Sequence, residues 1–231
     1  MLEITPAEWT AILLSLRVAI IATLVATPFG IALAWLLARY DFWGKSILDA
    51  LVHLPLVLPP VVTGYLLLLT FGRRGLVGAW LADHLGIVFA FRWTGAALAC
   101  GVMSFPLLVR PIRLSIEAVD RRLEQASSTL GAAPWQVFAT VTLPLALPGV
   151  LAGMVLGFAK AIGEFGATIT FVSNIPGETQ TISSAIYSLI QTPDGDTAAA
   201  RLVLISIVIA MGALIASEWF ARRATKRLHG N

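Results

Sequence analysis

An all-helical protein that crosses a membrane about five times is the fold class this sequence predicts, and three observations lead there. Of its 231 residues 58% are hydrophobic and only 13% charged, against about 25% charged in an ordinary soluble domain. The mean hydropathy of +0.85 has the same sense. Long charge-free stretches recur, each near the length of about 20 residues that spans a bilayer as a helix. One membrane domain, residues 1–231, accounts for the whole length, with no room for an additional soluble enzyme domain.

The spans follow from where charge is missing, because a central Asp, Lys or Arg costs roughly 2.5–3.5 kcal/mol on insertion. Val18–Ala38 is uninterrupted, and Ala11–Leu16 extends it upstream of Arg17, giving a first span over 11–38. Ala50–Gly72 predicts the second, 47–71, and Trp93–Val109 the third, 93–112. The downstream part of the charge-free run Gln125–Ala159 places the fourth at 141–165. Leu202–Ser217, prolonged through Trp219 and Phe220, gives the fifth at 199–220. The start "MLEITPAEWT" has no basic leader and no small-residue cleavage site, so no removable signal peptide is expected. Cys100 lies in an apolar run and reads as a small buried hydrophobe.

Five spans put the termini on opposite sides. With the N-terminus outside, Arg39, Lys45, Arg110, Arg113, Arg121, Arg122, Arg222, Arg223, Lys226 and Arg227 fall in the cytoplasm, and Arg73, Arg74, Arg92 and Arg201 outside. That bias satisfies the positive-inside rule. The clusters therefore read as topology, and no nucleic-acid partner is expected.

The stretch from Val119 to Gly149 then lies in the cytoplasm. Asp120 can cap a short helix in which Leu123, Ala126 and Leu130 share a face, and Gly131 suits the C′ position that ends it. Pro134 suits the first turn of a second helix, and Pro144 and Pro148 should bend or punctuate the chain as it enters the bilayer. Two readings of this elbow are open: a surface helix resting on lipid, or a contact for another protein.

Spacing favours the second. The region resembles the cytoplasmic signature of permease subunits of bacterial ATP-binding-cassette importers, E-A-A, three residues, Gly, nine residues, I-x-L-P. Here it reads Gln125-Ala126-Ser127, Gly131, an intact spacer Ala132–Thr140, and Val141-Thr142-Leu143-Pro144. Gln125 replaces the usual acid, and Glu124 stands one place early. The resemblance implies a type I importer permease fold with a coupling region over 120–144. There Glu124, Gln125, Ala126, Ser127, Gly131, Leu143 and Pro144 would meet a separate ATPase, small residues permitting close approach and Arg121, Arg122 and Glu124 forming a polar rim. The sequence has no "GxxxxGK[ST]" loop, so ATP and Mg would be bound by that partner.

Two further stretches, Leu54–Gly72 and "AKAIGEFGATITFVSNIPGETQTISSAIYSLIQTP" (Ala159–Pro193), resemble molybdate importer permeases, with sulfate and tungstate permeases as close kin. The resemblance implies a homodimer in the bacterial inner membrane, two ATPase subunits and a periplasmic or extracellular molybdate-binding protein, with surrounding lipid.

Lys160, Glu164 and Thr168 recur every four residues, so on a continuous helix they share a face, either as a gate contact near the path or as a structural ion pair. Pro59 and Pro60, with Pro55 and Gly64, should break the second span, to line a pathway or to pack. His53 beside them is a proton relay or an ordinary hydrogen-bonded side chain. Ser173–Asp196 is too polar to span and reads as an outer connection, with Tyr187 and Ile186 packed and Glu178, Asp194 and Asp196 wet. A secondary transporter would need internal repeats and more membrane carboxylates than Glu164, and an enzyme would need clustered acids, His or Cys. Neither pattern is present, and no catalytic or metal-binding residue is expected.

Overall fold

The computed structural model describes residues 4–228, with side chains to residue 216. Met1–Glu3 and the side chains of Trp219, Phe220, Arg222, Arg223, Lys226 and Arg227 lie outside the described residues. The described elements are helical: α1 Pro6–Arg39, α2 Lys45–Val57, α3 Pro60–Phe71, α4 Leu76–Leu85, α5 Trp93–Glu117, α6 Arg121–Thr129, α7 Pro134–Val137, a π-helical turn Phe138–Thr142, α8 Leu143–Ile162, α9 Gly166–Val172, α10 Ile182–Leu189 and α11 Asp196–Leu228.

Among the described residues four helices are long and apolar enough to cross a membrane: α1, α5, the run Pro134–Ile162, and α11 over Asp196–Ala216. The second expected span is a bent pair, α2 and α3, at 115° to each other. Leu58 is extended and Pro59 and Pro60 come directly after it, where proline rings forbid the continuing helical bonds.

Helix α5 is the centre, packed between α1 and α8. Small residues make this possible: Ala19, Ala96 and Ala99 are completely buried, and Cys100 joins them with its thiol on the Ala161 carbonyl at 3.5 Å. Toward the elbow, Leu108, Ile112 and Ile116 of α5 fill the space against Ala34 of α1 and Ala146 of α8. Without a hydrophobic drive between helices in lipid, such close packing is what associates them.

Charged pairs stand at each end of the bundle. At the far end from the elbow, Thr5 and Glu8 form a capping box that starts α1, and Glu8 Oε1 also accepts from Arg201 of α11 at 2.9 Å. At the elbow end Arg113 of α5 reaches Asp49 of α2 at 2.9 Å and Glu117 at 2.8 Å. Arg17, the one charge inside the first apolar stretch, lies over the Trp93 ring, 3.8 Å from its centroid.

The polar connection Ser173–Asp196 is partly helical and plugs into the bundle. Ile182, at the start of α10, donates its N–H to Ser15 Oγ of α1 at 2.7 Å. Ile182, Ser184 and Ala185 are the buried side chains of α10, while Tyr187, expected to pack, is 48% exposed and touches Phe165. The helix α4, too short to announce itself as a span, was not expected.

Candidate functional site

The elbow is built from its caps. Asp120 Oδ1 accepts the Arg122 N–H at 2.9 Å and starts α6. At the other end Ala132 donates to Ser127 O at 3.3 Å and Gly131 to Ser128 O at 3.0 Å, the paired bonds of a Schellman motif. Gly131 takes φ +89°, which a side chain would resist although nothing lies within 4 Å of where its Cβ would be. Pro134 then opens α7, and Gln136 Oε1 accepts the Ala133 N–H at 2.8 Å.

The second arm differs from the expectation of a helix punctuated by proline. After four α-helical residues it widens into the π turn, Leu143 donating back to Phe138 O, and then runs on as α8 through Pro144 and Pro148. The wider turn relieves the clash that a proline ring makes with the carbonyl four residues earlier. Pro144 thus sits at a change of helical register.

Seen from solvent, α6 buries none of its residues. Leu123, Leu130 and Trp135 are 50%, 90% and 70% exposed, an apolar crest on an otherwise polar elbow. Gln125, Ala126 and Gly131 are exposed too, Ser127, Ala132 and Leu143 are half-buried, and Pro144 is exposed. Glu124 departs from the expected rim and turns inward. Its Oε1 accepts from Arg39 Nη2 at 2.9 Å, Arg39 Nε at 3.2 Å and Thr142 Oγ1 at 2.5 Å. A carboxylate with three donors on one oxygen is drawn to them rather than to water. Arg39, expected only as a topology marker, and Thr142, not expected at the site, are thus its partners, and the acid beside Gln125 is the one sequence signal of them.

The second group of expected residues also comes together, on a different backbone. Helix α8 ends at Ile162, and Glu164 lies in the break before α9, so Lys160, Glu164 and Thr168 do not share one continuous helix. The pair forms nonetheless: Lys160 Nζ donates to Glu164 Oε2 at 2.6 Å, while Oε1 accepts the Ala167 N–H at 3.0 Å. Glu164 is buried and Lys160 a quarter exposed, so the carboxylate ties the end of α8 to the start of α9. Thr168 is buried with its hydroxyl on Phe165 O.

Pro60 meets this break from the other side, with Pro59 just before it in the chain. Helices α3 and α9 approach so closely that Cβ atoms added at Gly64 and Gly166 would lie 2.5 Å from Ala167 O and 2.7 Å from Pro60 Cβ. Thr63, next to Gly64, is buried with no protein partner for its hydroxyl. His53 does not reach the break; its Nδ1 lies on Asp49 O at 2.8 Å within α2. Among the described residues no cluster of His, Cys, Asp or Glu has the makings of a metal site.

Known proteins of the same kind align over almost the full length. Residues 26–226 match the family described as binding-protein-dependent transport system inner membrane component. The chain is 62% identical over 224 residues to the molybdenum transport system permease protein ModB of Escherichia coli (strain K12), covering 97% of this chain and 98% of that protein. It is 57% identical to ModB of Haemophilus influenzae over 96% of each chain. The sulfate transport system permease protein CysT of Escherichia coli is more distant, 37% identical over 85% of this chain and 70% of its own. Among solved structures, a bacterial ABC transporter that imports the polysaccharide alginate has the same fold, with a TM-score of 0.74 at 20% identity over 95% of this chain and 80% of that one. The helical bundle, the elbow spacing and these alignments agree, and the chain belongs to the binding-protein-dependent transport system inner membrane components.

Proposed function

We propose that this chain is the membrane-spanning permease subunit of an ATP-driven molybdate importer. The observation that carries the substrate is the 62% identity to the molybdenum permease ModB over 97% of the chain, against 37% to the sulfate permease CysT. Two copies would form the path, each with one ATPase subunit that binds ATP and Mg, and a binding protein would deliver the anion. A solved relative of 19% identity, described as an alginate ABC transporter in complex with a substrate-bound periplasmic protein, makes that assembly a reasonable template.

In this reading the N-terminus and α10 lie outside and the elbow in the cytoplasm, in keeping with the basic residues at the elbow end. The ATPase receives the exposed crest Leu123, Leu130 and Trp135 and the small residues Ala126 and Ser127, with Gln125 beside them. ATP-driven approach of the two ATPases moves the elbows, and the helices carry the change to a gate. That gate is the α8–α9 break, which holds Lys160, Glu164 and Thr168 and touches the broken span through Gly166 and Pro60. The chain itself hydrolyses nothing.

Reconstituting permease, ATPase and binding protein in vesicles tests the reading. Labelled molybdate should accumulate only with ATP, tungstate should compete and excess sulfate should not. Sulfate displacing molybdate would overturn the substrate, and uptake without the ATPase would overturn the energy source.

A further inference from the structure

Helix α1 ends against both arms of the elbow, although 80 residues or more of chain separate them. Arg39, its last residue, donates to Glu124 Oε1 of the first arm through Nε and Nη2, and through Nη2 also to Val119 O at 3.3 Å, where that arm begins. Thr142 of the second arm donates to the same carboxylate oxygen. One turn back in α1, Trp35 packs on Phe138 of the π turn, ring centroids 5.3 Å apart. The Arg39 and Glu124 side chains are 10% and 17% exposed, unlike a surface ion pair, which water would largely neutralise.

Continuity of the chain already joins the first arm to α5 and the second to α8. Helix α1 has no such link, and between it and the elbow lies an open cavity of about 530 Å³ lined by Trp35, Arg39, Gln125 and Thr142 among others. Beyond the Trp35–Phe138 contact the apolar packing here is therefore incomplete, and the polar side chains bridge what it leaves open. A guanidinium held on one carboxylate oxygen and a carbonyl fixes direction as well as distance.

We propose that Arg39, Glu124 and Thr142 form a tie that makes α1 and the elbow move as one body, so that displacement of the elbow reaches the membrane through α1 as well as through α5 and α8. The tie rests on the elbow being the ATPase contact. These are positioning residues, and their readout is anions imported per ATP hydrolysed in reconstituted complexes. Arg39→Met and Glu124→Gln should each lower that ratio about fivefold while hydrolysis continues, the lower end of typical couplings between sites. The double variant should be little worse than the poorer single one, because both remove the Arg39–Glu124 pair. Thr142→Val, which deletes a single donor, should lower the ratio less, and it carries the test if Arg39→Met fails to assemble with the ATPase. An unchanged ratio in assembled variants, or losses that add in the double variant, would overturn the tie. A wild-type complex that imports no molybdate would instead count against the proposed function.

Discussion

Gly64 of α3 passes Ala167 of α9 so closely that a β-carbon at Gly64 would stand 2.5 Å from the Ala167 carbonyl oxygen and 2.9 Å from Thr170 Cβ. The obstacle is backbone, which cannot swing aside, so Gly64→Ala must push α3 off α9. Overpacking of this kind costs about 1–3 kcal/mol. Gly212→Ala in α11, where nothing lies within 4 Å, is the contrast and should be neutral or stabilising by up to about 1 kcal/mol. Thermal unfolding of the two variants in detergent checks the difference, and equal melting would contradict the close approach.

The ion pair in the α8–α9 break should show a strong asymmetry between single and double substitution. Lys160→Met strands the Glu164 carboxylate, 2% exposed, without its counter-ion and should destabilise by about 3–5 kcal/mol. Combined with Glu164→Gln the loss should be largely recovered, since an amide still accepts the Ala167 N–H. If the double variant melts lower than Lys160→Met, the pair is not the reason for the cost.

At the elbow, Gly131→Val should leave insertion into the membrane intact yet abolish the ATP hydrolysis stimulated by loaded binding protein. The backbone there costs a side-chain-bearing residue roughly 1–2 kcal/mol, enough to release the Schellman turn. Stimulation equal to wild type would mean that Gly131 has no part in coupling.

The far end offers a capping test. Thr5→Ala removes the hydroxyl that accepts the Glu8 N–H at 3.3 Å and should cost about 1 kcal/mol. Glu8→Gln should cost more, because Arg201 loses its carboxylate while the Thr5 N–H is left with a neutral acceptor. Equal losses on thermal unfolding would mean that Arg201 contributes nothing to this end.

Much of this was legible because the bilayer forces a plain code: absence of charge gives the spans, and Asp120, Gly131 and Pro134 punctuate the elbow by local rules that tertiary packing did not override. The break at Glu164 was not legible, since Gly163 and Gly166 flank it in a stretch whose four-residue charge spacing reads as a helix. Nor was the inward turn of Glu124. Its partners Arg39 and Thr142 are 85 and 18 residues away, and spacing within a segment carries no information about them. The π turn escaped for a similar reason: a proline predicts disturbance, and how the helix absorbs it depends on its neighbours.

Helix α1 also carries a level mark for the surrounding lipid. Arg17 and Arg39 are 22 residues apart, 39 less 17, which at 1.5 Å of rise is about 33 Å, close to the roughly 30 Å of a bilayer's hydrocarbon layer. Each is anchored where an interface would fall, Arg17 on the Trp93 ring and Arg39 on Glu124. The turns before Arg17 hold α10 through Ser15 and α11 through Glu8. Tilting α1 is one way to meet a bilayer thinner than this interval, and such a tilt would carry the Ser15 and Glu8 contacts at one end and the Arg39–Glu124 pair at the other.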